Sequence, residues 1–331
     1  MDCKNISCCF STSVDTTHRT VLLEITNRCN LACGYCHALG GRFTDLMLSE
    51  ERLEQLFCEM RDNHITKVIF SGGEPLLLYP KLKKYVALAE QLGLECDICT
   101  NGTVMNDEIC AWLKAHFTDI TITLDTLDPD VYASMKRCSR SLFDKALQTI
   151  RRLIAEGLKV GITIVPTSDN YSTLSESVRY FAEIGVSAIS ILRLYRMEGA
   201  KDYLFDEEAF YRTVNEIVAP YDGIKFRLKG FGLQPESMGR CSAGEGMLGI
   251  GYDGRLYPCL LLRNPEWSCD LRQMTLKEAI ESDANRQFLA RRNQICKPDC
   301  PHQGECQYGC PAAAYIENGG FGCDIRCDYY K

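Results

Sequence analysis

The 331-residue sequence lacks the features that would place it in several specialised classes of protein. No apolar run approaches the ~18 residues of a membrane-spanning helix, and residues 1–5 contain no apolar signal-peptide core. Lys and Arg (37) are outnumbered by Asp and Glu (44), which gives a formal charge of −7, and no long basic run is present. We therefore expect a cytoplasmic protein that binds neither a membrane nor nucleic acid.

Cysteine, in contrast, is abundant, with 20 residues in the chain. Without an export signal, disulfides are a poor explanation, and so many thiols in a reducing compartment more often hold metal. Three cysteines lie close together at Cys29, Cys33 and Cys36, and nine lie between Cys241 and Cys327. The other eight are scattered. This uneven distribution predicts two metal-binding regions.

Residues 20–195 alternate between short apolar runs and segments of helical periodicity, a pattern typical of parallel strands joined by right-handed helical crossovers. The predicted strands are Val21–Ile25, Val68–Phe70, Glu95–Thr100, Ile120–Leu124, Val160–Val165 and Ala188–Leu194. The predicted helices are Glu50–Met60, Leu82–Leu92, Asp107–His116, Phe143–Ala155 and Leu174–Ile184. The pattern predicts an α/β fold, an open or partial (β/α)6 TIM-like barrel. Functional groups should gather at the carboxyl ends of its strands.

The character of the chain changes after the barrel. We predict an N-terminal segment at 1–19, the barrel at 20–195 and a bridging region at 196–234, with a helix over Glu207–Val218 and a strand over Lys225–Leu228. From about residue 235, Gly, Pro and Cys become frequent and apolar periodicity fades. Residues 235–331 are therefore predicted to form a small cysteine-rich domain with little regular structure, which depends on metal to fold.

Two motifs follow successive predicted strands of the barrel. Cys29, Cys33 and Cys36 have the spacing C-x3-C-x2-C, and three thiolates on one loop can hold three irons of a [4Fe–4S] cluster and leave the fourth open. A zinc site with His37 as fourth ligand is the alternative. At 72–74 the sequence reads Gly-Gly-Glu, where glycines let backbone carbonyls approach a ligand and the carboxylate can accept bonds from an ammonium group.

Together the two motifs resemble those of the radical S-adenosylmethionine (radical SAM) superfamily, and the resemblance covers about residues 20–195. It implies that the open iron binds the amino and carboxyl groups of AdoMet. It also implies that an electron cleaves AdoMet to a 5′-deoxyadenosyl radical, which abstracts hydrogen from a substrate.

The same resemblance suggests which residues contact AdoMet. They are Tyr35, Gly72, Gly73, Glu74, Thr100, Asn101, Thr123, Asp125, Arg137 and Val165. Tyr35 would lie beside the adenine, the glycines and Glu74 would hold the amine, and Arg137 would pair with the carboxylate. A side chain at Gly73 is expected to obstruct the amine without affecting cluster assembly. Cys138 is a candidate hydrogen donor or substrate ligand, with a plain buried thiol as the alternative.

The C-terminal cysteines resemble the SPASM extension of radical SAM enzymes. The resemblance rests on the run Cys296-x3-Cys300-x5-Cys306-x3-Cys310 and on the G-x4-C motif that ends at Cys259, and it implies two auxiliary [4Fe–4S] clusters. The implied ligands are Cys241, Cys259 and Cys310 for the nearer cluster and Cys296, Cys300, Cys306 and Cys327 for the outer one. The fourth ligand of the nearer cluster is left open between Cys269, Cys323 and an open iron. A pair of structural zinc sites is the alternative.

The resemblance predicts an enzyme that modifies a ribosomally made peptide by crosslinking, thioether formation, epimerisation or another C–H functionalisation. Leu260 occupies a position where sulfatase maturases carry Asp, which argues against that activity. Only 28 residues precede Cys29, fewer than a fused leader-recognition domain needs, so a separate recognition protein or direct barrel contacts are expected. A flavodoxin or ferredoxin-type protein would donate electrons.

Two other functions fit the same motifs. One is a radical SAM oxidoreductase acting on a small metabolite, such as a tetrapyrrole or a sugar-like compound. The other is a non-catalytic iron–sulfur or zinc protein, which AdoMet turnover would exclude.

The cysteine pattern makes a prediction about metal content. Three [4Fe–4S] clusters imply about twelve irons per chain after anaerobic reconstitution. Replacing Cys29, Cys33 and Cys36 together by Ala should remove about a third of that iron and all cleavage of AdoMet. Iron analysis and assay of 5′-deoxyadenosine measure both, and a zinc-loaded protein with little iron would contradict the prediction.

Overall fold

The computed structural model describes residues 18–36, 48–192, 194, 213–214, 216–221, 225–229, 241–292 and 310–322. The strands are β1 (Arg19–Glu24), β2 (Ile65–Ser71), β3 (Glu95–Thr100), β4 (Asp119–Thr123), β5 (Lys159–Ile164), β6 (Ala188–Leu192), β7 (Lys225–Lys229), β8 (Met247–Ile250), β9 (Arg255–Tyr257) and β10 (Cys269–Asp270). The helices are α1 (Glu50–Asp62), α2 (Tyr79–Gln91), α3 (Asp107–His116), α4 (Pro129–Lys136), α5 (Ser141–Ala155), α6 (Leu174–Glu183), α7 (Leu276–Ile280), α8 (Asp283–Arg292) and α9 (Pro311–Asn318).

The ten strands found in the described residues belong to one sheet, in the order β10-β9-β8-β1-β2-β3-β4-β5-β6-β7. Every pair from β8–β1 through β6–β7 is parallel, whereas β8–β9 and β9–β10 are antiparallel. Because β10 and β7 are edges, the barrel is open, which confirms the predicted α/β fold class. The six predicted strands form its centre, and β7 and β8 extend it on both sides.

The main core lies between the sheet and its helices. On β1, Val21 and Leu23 are fully buried and pack in one cluster with Leu53, Leu56 and Phe57 of α1. Burying a side chain of this kind contributes about 1.5–3 kcal/mol to folding. Alternate strand residues point to the opposite, concave face of the sheet, where the barrel can hold a ligand.

Local signals in the sequence account for most helix boundaries. Ser49, a residue type that favours the N-cap position, directly precedes the predicted helix Glu50–Met60, and it caps α1, because its Oγ accepts a hydrogen bond from the backbone N–H of Arg52 at 3.1 Å. Helix α4 was not predicted, although Asp128 caps its N-terminus and Pro129 opens it. Of the predicted helix over 207–218, residues 213–214 and 216–218 are helical and the others lie outside the described residues. Throughout the described ranges, every helix is too short or too polar to cross a bilayer.

The cysteine-rich region has more regular structure than the sequence suggests. It supplies β8 to β10 and α7 to α9, and β8 pairs in parallel with β1 of the barrel. It also has a small core of its own, in which Trp267 and Phe288 meet Phe321 with ring centres 5.4 and 5.7 Å from it. These aromatic side chains are spread through loops and helices, so they leave no periodic signal in the sequence.

Two arginines join this region to the barrel. Arg52 of α1 forms a two-point ion pair with Glu59 at 3.0 Å and donates to the carbonyl oxygens of Leu271 and Met274 at 2.7 and 3.0 Å. Arg263 pairs with the buried carboxylate of Glu24 at the end of β1. The barrel and the cysteine-rich region are thus fastened at both the helix layer and the sheet.

The Arg52 contacts predict a stability effect. Replacing Arg52 by Met should lower the free energy of unfolding by about 1–3 kcal/mol, because two carbonyls and the Glu59 carboxylate lose a donor in a mostly buried setting. Denaturant titration measures the loss. Arg61→Met is the matched control, because the Arg61–Asp62 pair is exposed and should contribute little. Equal losses in the two variants would contradict the prediction.

Candidate functional site

The loop that follows β1 carries the three clustered cysteines at the carboxyl end of the sheet. Cys29, Cys33 and Cys36 lie close enough for their charges to act on one another. Burial, as the main cause, raises the pKa of Cys29 to about 11 and that of Cys33 to about 12. These thiols stay protonated until a metal takes them up as thiolates, so metal binding at this loop should release protons.

Gly72 and Gly73 hold this loop through the backbone. Gly73 N–H donates to the carbonyl of Thr26 at 2.8 Å, and Glu74 N–H donates to that of Arg28 at 2.7 Å. A Cβ at Gly72 would lie 2.1 Å from the Thr26 oxygen, and one at Gly73 would lie 2.1 Å from the Arg28 oxygen. This close approach argues against the expectation that a side chain at Gly73 spares cluster assembly, because the backbone it would strike leads directly into the cysteine loop.

Glu74 is fully buried and accepts bonds from protein donors at the end of β3. Its Oε1 accepts from Thr100 Oγ1 at 2.7 Å and from Leu76 N–H at 3.0 Å, and its Oε2 accepts from Asn101 N–H at 2.7 Å. Burial raises the pKa of Glu74 to about 6, so the carboxylate is ionised at neutral pH. Glu74 thus fixes the ends of β2 and β3 together, whatever else it contacts.

Asn101 connects the end of β3 to the cysteine loop. Its Nδ2 contacts the Cys29 sulfur at 3.7 Å and donates to Asn30 Oδ1 at 2.9 Å. Asn30 in turn donates to Thr103 Oγ1 at 2.7 Å, and Thr103 donates back to Asn101 Oδ1. The sequence interpretation missed Asn30 and Thr103. The signal for Asn30 is its position directly after Cys29, and the signal for Thr103 is its position two residues after Asn101.

Asp125, at the end of β4, lies in a buried group with Tyr35 and Lys136. Its Oδ2 is 2.6 Å from Lys136 Nζ and accepts a bond from the Tyr35 hydroxyl, while its Oδ1 accepts from Val165 N–H at 2.7 Å. Lys136 also donates to the Tyr35 hydroxyl. Burial raises the pKa of Tyr35 well above its ordinary value, so this phenol keeps its proton. Three predicted residues, Tyr35, Asp125 and Val165, meet here, and Lys136 joins them without having been predicted.

The remaining barrel candidates take different positions. Arg137 is exposed and ends α4 in the left-handed region at φ 49°, so the cation directed towards the cysteine loop is its neighbour Lys136. Thr123 is the half-buried last residue of β4. Cys138 packs at the edge of the main core, and burial raises the pKa of its thiol, which favours the protonated form.

Three of the C-terminal cysteines come together beside the small aromatic core. Cys241, Cys259 and Cys310 all pack against it, and the charges of Cys310 and Cys259 act on Cys241. Cys269 lies instead in the main core, where its sulfur is 3.2 Å from Ser282 Oγ. The structure therefore does not bring Cys269 to the other three. The candidates Cys296, Cys300, Cys306, Cys323 and Cys327 lie outside the described residues.

Arg292 fastens the backbone around Cys241. Its side chain is 2% exposed, donates to the carbonyls of Cys241 (at 2.9 Å) and Ala243, and pairs with Glu245 at 2.7 Å. From the sequence alone, a short basic pair such as Arg291–Arg292 is expected on a solvated helix face. That is wrong for Arg292, because the last turn of α8 faces the small core.

The donor sets fit iron–sulfur clusters. Each set consists of soft thiols, and each thiol can bind a different iron of a cube. Over the described ranges, no three Cys, His, Asp or Glu groups are gathered as a single metal ion would need. A cube requires no such gathering at one atom. Cys29, Cys33 and Cys36 are thus suited to one cluster, and Cys241, Cys259 and Cys310 to part of another.

Comparison with protein families gives two matches along the chain. Residues 23–181 match the radical SAM superfamily, and residues 241–301 match SPASM, an iron–sulfur cluster-binding domain. The first match runs from the last two residues of β1 into α6 and includes the cysteine loop. The second includes Cys241 and Cys259. Neither match tests the domain boundaries predicted from the sequence, which stay a prediction.

Three curated proteins illustrate the range of relatives. An uncharacterised protein of Methanocaldococcus jannaschii is 32% identical over 175 residues, which is 51% of this chain and 60% of that protein. The mycofactocin maturase MftC of Mycolicibacterium smegmatis is 25% identical over 88% of this chain and 78% of its own. The AdoMet-dependent heme synthase of Nitratidesulfovibrio vulgaris is 24% identical over 92% of this chain and 90% of its own.

Solved structures share the fold over nearly the whole chain. SuiB of Streptococcus suis bound to S-adenosylmethionine superposes with a TM-score of 0.75 at 19% identity, over 93% of this chain and 77% of SuiB. The anSMEcpe structure with bound AdoMet gives a TM-score of 0.74 at 18% identity, over 94% of this chain and 95% of that one.

The packing of Gly73 makes the next prediction. Gly73→Ala should displace the backbone of Arg28 and lower both iron retention at the cysteine loop and AdoMet binding, because its Cβ has no room. Gly320→Ala is the control, since nothing lies within 4 Å of a Cβ there. Iron content and AdoMet titration measure the two effects, and a Gly73→Ala protein with full iron and unchanged affinity would contradict the prediction.

Proposed function

The chain belongs to the radical SAM superfamily and carries a SPASM iron–sulfur cluster-binding domain, and on that premise we propose that it matures a ribosomally made peptide. As a member of this superfamily it is an AdoMet-dependent enzyme with a [4Fe–4S] cluster, and the SPASM domain adds auxiliary iron–sulfur clusters. When bound, the cluster and AdoMet together supply the radical that removes a hydrogen atom from the substrate.

The observation that carries the proposal is the extent of the likeness to proteins that act on peptides. SuiB in complex with its precursor peptide SuiA superposes on 96% of this chain with a TM-score of 0.75. MftC, a maturase by name, aligns with 88% of this chain. In both cases the likeness runs through the barrel and the cysteine-rich region, the two parts between which a substrate would lie.

The concave face of the barrel supports a peptide substrate. Cys99, Thr121, Thr163 and Ser190 alternate with main-core residues on neighbouring strands, so they face the inside of the barrel. These four side chains are small and three of them carry a hydroxyl group, which leaves room for an extended chain and offers partners for its amide groups, whereas Leu22 and Ile69 make the same face apolar on β1 and β2. A flat apolar substrate would instead favour an aromatic, apolar lining.

The residues of the site have distinct proposed roles. Cys29, Cys33 and Cys36 hold the barrel cluster through thiolates. Glu74 keeps the ends of β2 and β3 in place. Tyr35 presents a rigid ring, and its hydroxyl donates a hydrogen bond to the Asp125 carboxylate. A reductant of the flavodoxin or ferredoxin type is proposed as electron donor, and a separate protein is proposed to present the peptide.

A small-metabolite substrate is the second candidate. The observation that favours it is the similarity to the AdoMet-dependent heme synthase. That alignment covers 92% of this chain, slightly more than the alignment with the maturase. The two candidates differ in what accumulates: a peptide of altered mass or a modified tetrapyrrole.

Coexpression tests the proposal directly. A candidate precursor peptide produced together with this protein should change in mass, by loss of two hydrogens for a crosslink or thioether or by deuterium uptake from heavy water for an epimerisation. Mass spectrometry of the peptide detects either change. The matched control is the Cys29, Cys33 and Cys36→Ala variant, which should leave the peptide unaltered. Turnover of a tetrapyrrole with every peptide unchanged would favour the second candidate.

A further inference from the structure

Lys136 is a buried cation at the end of α4, next to the cysteine loop. Its side chain is 2% exposed, and its Nζ lies 2.6 Å from Oδ2 of Asp125, which is 1% exposed. Removing two charges from water is unfavourable, and their attraction offsets the loss only when the geometry is good and further hydrogen bonds are made. These further bonds therefore indicate what the pair does.

The end of α4 holds the cysteine loop through both backbone and side chain. Ala32 N–H donates to the carbonyl of Lys136 at 3.0 Å, and Gly34 N–H donates to that of Met135 at 3.1 Å. The Lys136 ammonium donates to the Tyr35 hydroxyl and lies 4.9 Å from the centre of its ring. The C-terminal end of α4 thus holds the loop on both sides of Cys33, its second cysteine.

Asp125 extends this attachment into the sheet. One carboxylate oxygen faces Lys136 and Tyr35, and the other accepts the backbone N–H of Val165 at 2.7 Å. Its backbone carbonyl accepts from Asn170 Nδ2 at 2.8 Å. The ammonium group therefore connects the cysteine loop to the ends of β4 and β5.

The charge of Lys136 also reaches the cysteines. Its ammonium is held at Tyr35, two residues after Cys33 and one before Cys36, by the bond to the hydroxyl and by the contact with the ring. The cation therefore lies beside the segment that joins two of the cluster-binding cysteines.

We propose that Lys136 is a positioning residue for the barrel cluster. With Asp125 and Tyr35 it holds the cysteine loop in its cluster-binding conformation, and its ammonium favours the extra negative charge of the reduced cluster. This role depends on the cluster and not on the substrate. It can therefore fail while the peptide proposal stands, or hold while that proposal fails.

Lys136→Met tests both effects in the full-length, reconstituted protein. A chelator should remove iron from the barrel cluster several-fold faster, because the loop loses its attachment and Asp125 is left buried without a counter-charge. The midpoint potential of this cluster should become more negative, because reduction adds negative charge without a nearby cation. The part of the EPR signal that AdoMet changes identifies the barrel cluster among the three. Lys145→Met, at an exposed position on α5, is the control.

A second variant separates the two effects. In the double variant Lys136→Met, Asp125→Asn no uncompensated buried charge remains, so iron retention should recover partly. The potential should stay below that of the unaltered protein, because the cation is still absent. Asp125→Asn alone should move the potential in the opposite direction.

Unaltered iron loss and potential in Lys136→Met would overturn the proposal, and so would equal changes in Lys145→Met. If Lys136→Met does not fold, Tyr35→Phe removes only the hydroxyl that links the loop to the ion pair. Faster iron loss in that variant supports the holding role, and unaltered loss overturns it.

Discussion

The position of the cysteine loop depends on two glycines, because only residues without a Cβ leave room for its backbone at the end of β2. The carbonyls of Thr26 and Arg28 approach Gly72 and Gly73 so closely that a Cβ would be 2.1 Å from them. The backbone bonds from Gly73 and Glu74 then fasten the loop to the end of β2. A cluster at this loop requires the three thiols at the right spacing and the ring of Tyr35 in its position. Both depend on this backbone contact, because no side-chain interaction could replace it at that distance.

Around this contact, buried charge is held by protein partners. Glu74 accepts three bonds from β3 and the turn that follows β2, and Asp125 is shared between Lys136, Tyr35 and Val165. Carboxylates satisfied in this way order the strand ends before any ligand arrives. Such prior ordering lowers the entropy that binding has to overcome. The residues of the family motifs therefore order the site together with partners outside the motifs, such as Lys136.

The sequence predicted those parts of the molecule whose signal is local. Alternating periodicity revealed the six central strands, and Ser49 marked the start of α1. Contacts between distant segments left no such signal. Lys136 is recognisable only once α4 places it beside Asp125, and Cys269 separates from the other cysteines only through the fold. The small core around Trp267 was missed for the same reason, since its members come from loops and short helices.

The sheet also determines how the two cysteine regions relate to each other. β8 pairs in parallel with β1, the strand that leads into the cysteine loop, and β9 pairs with β8 just before Cys259. Parts of a chain joined only by a linker usually move relative to one another. Here a continuous hydrogen-bonded sheet, reinforced by the Glu24–Arg263 ion pair and by the hydrogen bonds from Arg52 to the carbonyls of Leu271 and Met274, fixes their separation. A substrate in the barrel would therefore face two cysteine regions whose separation is set by the sheet.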